Sequence, residues 1–174
     1  MPSTYTPIAT TTLGSAAASY TFSSISGSYT DIVLTISGYG SGTDGNAVLC
    51  QVGNGSVDTG SNYSVTRLSG NGTTASSGRR SNLTNGYLSD NTGFPNSSSQ
   101  ISNFIVNFMN YSNTTTYKTF LSRANVTSGT YPGTEALVNL WRSTSAIDTI
   151  KVFPFTGESF ATGTTITIYG IKAF

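Results

Sequence analysis

The sequence contains no histidine, one cysteine and few charged residues. Without histidine it cannot build a Ser-His-Asp triad, a Cys-His pair or an imidazole metal site. The single cysteine, Cys50, can neither close a disulfide within the chain nor supply a zinc ligand set. These absences exclude several common active sites, and Cys50 in "NAVLCQV" is predicted to be a small buried apolar residue.

Charge is equally scarce, since 8 basic and 7 acidic residues give a net charge of +1 and only 9% of the chain is charged. An average domain has about 25% charged residues. Because neither sign dominates, electrostatic capture of nucleic acid or anionic lipid is not expected. No apolar run reaches the roughly 18 residues of a membrane helix. The sequence therefore predicts neither a nucleic-acid nor a membrane partner.

The first residues, "MPSTYTPIATTTLGSAAA", lack the basic and apolar regions of a secretory signal. Synthesis in a cytoplasm is the expectation. Arg79 and Arg80, adjacent in a Gly/Ser-rich stretch, are interpreted as part of a solvated loop rather than a phosphate clamp.

The chain does contain short alternating segments typical of half-buried strands. In "DIVLTIS", Ile32, Leu34 and Ile36 share one face, and in "NFIVNFM" three apolar residues share a face opposite Asn103 and Asn107. In "EALVNLW" both faces are predicted to be buried. Strands are predicted near residues 17–23, 31–37, 46–52, 62–69, 80–88, 101–109, 116–124, 134–142, 147–153 and 164–171.

Turn dipeptides such as Asn54-Gly55 and Asn71-Gly72 separate these segments at short intervals. The pattern predicts an all-β fold, a two-sheet antiparallel sandwich that is jelly-roll-like, with an extended N-terminal arm. Residues 1–12 would form the arm and residues 13–174 a single sandwich domain.

Two segments have two interpretations each. Residues 1–12 form either an edge strand or frayed tail, or an arm laid on a neighbouring subunit. The Phe94-Pro95 pair is either an apolar anchor under a long loop or a partner contact. The residues predicted for an interface with a partner are Tyr5, Pro7, Ile8, Phe94, Pro95, Tyr131 and Phe174.

Catalysis would have to come from a pair of carboxylates, as in glycoside hydrolysis. Asp31 and Asp148 open predicted strands, and the other aspartates lie in turns, where Asp usually bonds the local backbone. Glu135 and Glu158 are the remaining carboxylates. The turn "SGTDGN" has too few carboxylates for a convincing calcium loop. We therefore predict no enzyme activity, no metal and no cofactor.

Tyrosines near loops or strand ends offer a different function, because a phenol ring can bind a sugar face. The candidates are Tyr39, Tyr63, Tyr87, Tyr111, Tyr117 and Tyr131, together with Trp141. Ordinary packing within the sandwich is the competing interpretation of these rings.

Two stretches resemble virion proteins of tailed bacteriophages. "YTDIVLTISG" after "SAAASYTFSSIS" is similar to a segment near the start of many such proteins, and "SFATGTTITIYGIKAF" is similar to their final strand. The resemblance implies a β-sandwich structural protein of the virion, usually trimeric, and carries over no catalytic residue.

The resemblance implies a non-enzymatic capsid decoration or cement protein. The low charge fits a structural role built on many contacts between subunits, for which we expect a homotrimer. Its partners would be the major capsid protein or other virion proteins, and its location the virion, after synthesis in the host cytoplasm. The alternative is a tail fibre or knob protein that recognises host glycans, and the third possibility is a carboxylate-based hydrolase.

Overall fold

The computed structural model describes residues 4–42, 46–90, 94–126, 132–155 and 157–172. These residues form strands and connections without a helix. The strands are β1 (Tyr5–Thr12), β2 (Tyr20–Phe22), β3 (Asp31–Gly38), β4 (Val48–Asn54), β5 (Ser56–Val57), β6 (Tyr63–Gly70), β7 (Ala75–Leu83), β8 (Gly86–Tyr87), β9 (Ser102–Met109), β10 (Lys118–Val126), β11 (Gly133–Trp141), β12 (Thr149–Pro154) and β13 (Thr165–Ile171).

The strands form two antiparallel sheets. The large sheet has eight strands in the order β1-β13-β3-β9-β10-β11-β6-β7, and the small sheet has the order β2-β12-β4-β5, with β8 also paired to β4. The chain crosses repeatedly between the sheets, because β1, β3 and β13 lie in the large one while β2, β4 and β12 lie in the small one. Such crossing is typical of a jelly roll, and the predicted all-β sandwich is confirmed.

The core lies between the sheets and is built from alternate positions of the strands. Ile32, Leu34 and Ile36 of β3 are almost completely buried, as the alternation in "DIVLTIS" predicts. On the neighbouring strands Phe108 and Phe120 occupy directly opposite positions and stack with their ring centroids 5.0 Å apart. Stacked aromatic pairs add stabilisation beyond the area they bury.

Strand β4 is buried along most of its length. Val48, Cys50 and Val52 point to the main core. Leu49 points the opposite way and packs with Val65 and Leu137, which belong to the large sheet. Both faces of β4 are therefore covered by the rest of the chain, and Cys50 is confirmed as a buried apolar residue.

The two ends of the chain are neighbours in the large sheet. Tyr5–Thr12 is extended, as predicted, and lies as an edge strand antiparallel to Thr165–Ile171. The edge-strand interpretation of this segment therefore applies to the single chain. Pro7, which cannot donate a backbone hydrogen bond, lies where the register shifts. Strand β13 lies between β1 and β3, so the C-terminal strand is an internal strand of the sheet.

One sequence-based interpretation is corrected at the other edge of the large sheet. Arg79 and Arg80 lie on β7, which begins at Ala75, and not in a loop. Arg80 donates to a carboxylate oxygen of Asp90 at 2.8 Å, so Arg80 takes part in an ion pair within the chain.

No described residues form a helix long and apolar enough to cross a membrane.

Candidate interaction surface

The outer face of the large sheet, which points away from the small sheet, is unusually apolar for a surface. Each of its central strands alternates between buried and exposed positions. The exposed positions include four large aliphatic side chains: Leu68 is 63% exposed, Val138 48%, Ile105 41% and Leu121 36%. These four residues, with Arg123 and Ala136 between them, are called the outer patch below.

Strand β11 corrects a prediction from the sequence. "EALVNLW" was expected to be buried on both faces, and Leu137 and Trp141 are indeed 1% and 2% exposed. Val138, however, points outward and is 48% exposed. The inner face of β11 belongs to the core, and its outer face has no cover from the described residues.

Strand register places the outer patch in two adjacent rows. In the first row Leu121 lies opposite Val138 on one side and Asn107 on the other. In the second row Arg123 lies between Ile105 and Ala136. Ala136 in turn lies opposite Leu68. Directly opposed side chains in a sheet are about 5 Å apart at Cβ, so the patch is continuous across four strands.

Arg123 lies at the centre of the patch, in the wall of three shallow grooves. One groove, of about 420 Å³, is lined by Leu68, Leu121 and Val138. A second, of about 440 Å³, lies towards Gly70 and Thr134. The third, of about 190 Å³, lies towards Ile105 and is edged by the amides of Asn103 and Asn125. The outer patch therefore combines apolar grooves with the guanidinium of Arg123 and neighbouring amide and hydroxyl groups.

The predicted interface residues of the N-terminal segment lie elsewhere on the same sheet. Tyr5 is 54% exposed on β1, and its ring contacts Tyr169 edge to face with centroids 6.3 Å apart. Pro7 is exposed, whereas Ile8 is half-buried against the core. Strands β13 and β3 separate these residues from the outer patch.

The remaining predicted interface residues divide into two groups. Phe94 is 2% exposed and packs edge-on against Phe104 and Phe160, with both ring centroids 5.8 Å away. Pro95 is also buried. This placement corresponds to the anchor interpretation of the pair. Tyr131 and Phe174 lie outside the described residues.

The aromatic rings proposed for sugar binding are mostly internal. Tyr63, Tyr111 and Trp141 are at most 2% exposed, and Tyr87 is 7% exposed. Tyr39 is half-buried and Tyr117 is 57% exposed. The packing interpretation therefore applies to four of the side chains that were candidates for glycan contact.

Two of these rings, Tyr63 and Trp141, belong to a partly buried hydrogen-bond network around Asp58. The indole of Trp141 and the amide of Asn62 both donate to Oδ2 of Asp58 at 2.8 Å, and the backbone of Gly60 donates to Oδ1 at 2.7 Å. Burial by itself would raise the pKa of Asp58, but these three donors outweigh it and lower the pKa. Asp58 thus stabilises a turn and orients Trp141.

The carboxylates considered for catalysis have structural contacts. Asp90 pairs with Arg80 and, at 3.5 Å, with Arg67. Glu135 is 2% exposed and accepts a hydrogen bond from the backbone of Asp90 at 2.7 Å. Glu158 packs so tightly on Gly42 that an added Cβ there would be 0.9 Å from Oε2 of Glu158.

The two strand-opening aspartates accept backbone hydrogen bonds, as predicted, but from distant segments of the chain and not from their own turns. Asp31 accepts from the backbone of Asn110, and Asp148 from the backbone of Gly55, both at 2.7 Å. These contacts bind neighbouring loops to strand ends.

Two other titratable groups are perturbed by burial alone. Burial raises the pKa of the Cys50 thiol and lowers the pKa of Lys118, whose ammonium donates to the carbonyl oxygens of Thr116 and Thr144. Burial disfavours the charged form in both cases.

Within the described ranges, no three His, Cys, Asp or Glu side chains are grouped closely enough to hold a metal ion. The central part of the weak calcium motif "SGTDGN" lies outside those ranges. A scan against protein-family models and searches of curated proteins and of solved structures find no match to this chain.

Proposed function

We propose that this chain is a non-enzymatic structural protein of a bacteriophage virion, which decorates or cements the capsid as a homotrimer. The observation that supports this proposal is the outer patch on the large sheet. Soluble monomers rarely expose a continuous apolar surface of this kind unless it serves binding. A sheet built on a packed core also holds such a surface rigidly, which lowers the entropic cost of contact.

The low share of charged residues is compatible with a protein that forms part of a virus particle. With charged residues at 9%, contacts rest on apolar, hydroxyl and amide groups, which are weakly affected by salt. A decoration protein makes many modest contacts, and multivalency provides the total strength. The cyclic symmetry of a trimer closes its contacts and prevents open-ended growth.

The test uses heads of the virus whose genome encodes this chain, expanded and stripped of accessory proteins. Purified protein added to these heads is expected to bind saturably at a fixed copy number per capsid and to raise the temperature at which the heads release DNA. A chain that shows no saturable binding to heads, at concentrations up to tens of micromolar, would contradict the decoration role.

The alternative role in glycan recognition now depends on fewer side chains, chiefly Tyr117 and Phe155, which are 57% and 45% exposed. Labelled protein that binds host cells but not heads would favour this alternative. Release of reducing sugar, lost in Glu135→Gln, would instead favour a hydrolase.

A further inference from the structure

We propose, on the basis of the assembly role above, that the outer patch is the contact surface between copies of this chain. Leu68, Ile105, Leu121 and Val138 of one copy would pack against the outer face of the large sheet of the next. Arg123 would be the polar centre of that contact.

The size of the face supports a second copy as the occupant. Six strands, from β13 to β6, at about 4.8 Å spacing and about eight residues each at about 3.4 Å rise, cover about 780 Å² in projection. A standard stable interface buries about 800 Å² on each partner. The projected area of the whole face is therefore comparable to one partner's share of a standard interface.

The chemistry of the face also fits a contact between identical subunits. Across the six strands from β13 to β6, all of which are described, the charged residues at outward positions are Arg123 and, at the start of β3, Asp31, whose carboxylate accepts a hydrogen bond from the backbone of Asn110. Interfaces between identical subunits are more apolar than other interfaces, and arginine is the cation enriched in interface cores.

Arg123 restricts how two copies can meet. A two-fold axis through the patch would bring Arg123 against Arg123, and like charges in a desolvated contact are unfavourable. An offset, head-to-tail contact avoids this clash, because Arg123 then faces the polar row of the next copy. That row contains Ser37, Asn103, Asn125 and Thr134, which lie opposite one another across four strands. A head-to-tail contact forms a closed ring when the rotation between copies closes, and each copy then divides its outer face between two neighbours.

The experiment compares two double variants by sedimentation velocity from about 1 to 100 µM. The patch variant is Leu68→Lys with Leu121→Lys, at positions that are not directly opposed. The control is Thr21→Lys with Phe155→Lys, which adds the same charge at exposed positions on or beside the small sheet. Far-ultraviolet circular dichroism and thermal melting check that both variants fold.

Wild type and control are expected to form the same oligomer. The patch variant is expected to lose at least a hundredfold in self-association affinity, because two ammonium groups would be buried without partners. A wild type that is monomeric across the range, or a folded patch variant that assembles like wild type, would overturn the inference.

A second measurement does not depend on a disruptive change. Cys50 is buried, so a cysteine introduced at Leu121 or at Phe155 is the reactive thiol. In the assembled protein, Leu121→Cys is expected to react with a maleimide at least tenfold more slowly than in the monomer. Phe155→Cys is expected to react at the same rate in the assembled protein and in the monomer. Equal rates at both sites in the assembled protein would contradict burial of the patch.

Binding to heads separates this inference from the proposed function. A patch variant that is monomeric but still binds heads with reduced avidity supports the copy interface. If wild type is monomeric and the patch variant alone loses head binding, the patch contacts a virion protein instead. In that case the decoration role stands and the copy interface is wrong.

Discussion

At the scale of single residues, polar side chains in this protein mostly connect one part of the backbone to another. Asn71 illustrates this, since its Oδ1 accepts from the backbone of Thr73 and Thr74. Asn113 repeats the arrangement with Thr115 and Thr116. Such side-chain acceptors satisfy turn amides that no strand partner reaches. The abundance of Asn and Thr thus serves turns as well as surface.

Asp58 allows a prediction about pH. Its folded-state pKa is lowered, so its contribution to stability is fully present above the unfolded-state pKa, about 3.9. That contribution is lost as the pH falls through the folded-state pKa. The difference in free energy of unfolding between wild type and Asp58→Asn should therefore be larger at pH 6 than at pH 3.

Fluorescence of Trp141, the single tryptophan, can follow urea unfolding of both proteins because its indole donates to Asp58. If the difference in free energy of unfolding between wild type and Asp58→Asn is the same at pH 3 and pH 6, the ionised form of Asp58 contributes no stability of its own.

Gly86 allows a prediction about packing between sheets. A Cβ at this position would be 2.5 Å from Cζ of Phe120 and 2.9 Å from Oδ1 of Asn139, both on the large sheet. Gly86→Ala should therefore reduce the free energy of unfolding by about 1–3 kcal/mol, as overpacking does. Gly14→Ala is the control, because an added Cβ there meets nothing within 4 Å. Equal urea midpoints for both variants would contradict the tight contact.

At the scale of elements, the last strand is the one whose loss should matter most. Strand β13 pairs with β1 on one side and β3 on the other, and Ile166 and Ile168 are at most 1% exposed in the core. Deletion of residues 168–174 should abolish soluble folding, because it uncovers the core and leaves backbone groups of two strands unpaired.

Deletion of residues 1–12 is the comparison, because it removes only an edge strand. That variant should remain folded with a lower melting temperature, measured by circular dichroism. Soluble, cooperatively melting protein from the C-terminal deletion would show that β13 is dispensable.

The positions of most strands were predictable from alternation, since apolar residues at every second position leave only one face for the core. Residues 31–37, 101–109 and 134–142 are examples, and β3, β9 and β11 occupy almost the same ranges. The short strands β5 and β8 were not distinguished, because two residues carry no period. The sequence predicts the start of β7 at residue 80, five residues after its observed start at Ala75, because "ASSGRRSNL" has no apolar alternation.

At the scale of the whole molecule, the scarcity of charge leads to a prediction about salt. Raising salt from 0.1 to 1 M shortens the screening length from about 10 Å to about 3 Å. Because the outer patch carries one cation, self-association should change less than about threefold over this range in sedimentation velocity. A tenfold or larger loss of self-association affinity in 1 M salt would indicate that ion pairs hold the contact between copies.

The outer patch itself could not be identified from the sequence. Val138 and Leu137 are adjacent aliphatic residues in "EALVNLW", and a strand with apolar residues on both faces is usually covered on both faces. Which face has a second layer depends on where the small sheet lies. The small sheet covers Leu137 and leaves Val138 exposed.

The sequence by itself determined the class of fold, because the two-residue period of its apolar side chains allows only strands with a shared inner face. It also determined the scarcity of charge and the absence of imidazole. Only the tertiary structure decided which tyrosines are internal, that β13 is an internal strand, and that the described residues leave one apolar face of the large sheet uncovered. These features depend on sheet order and on contacts between distant segments, which a local pattern of residues does not encode.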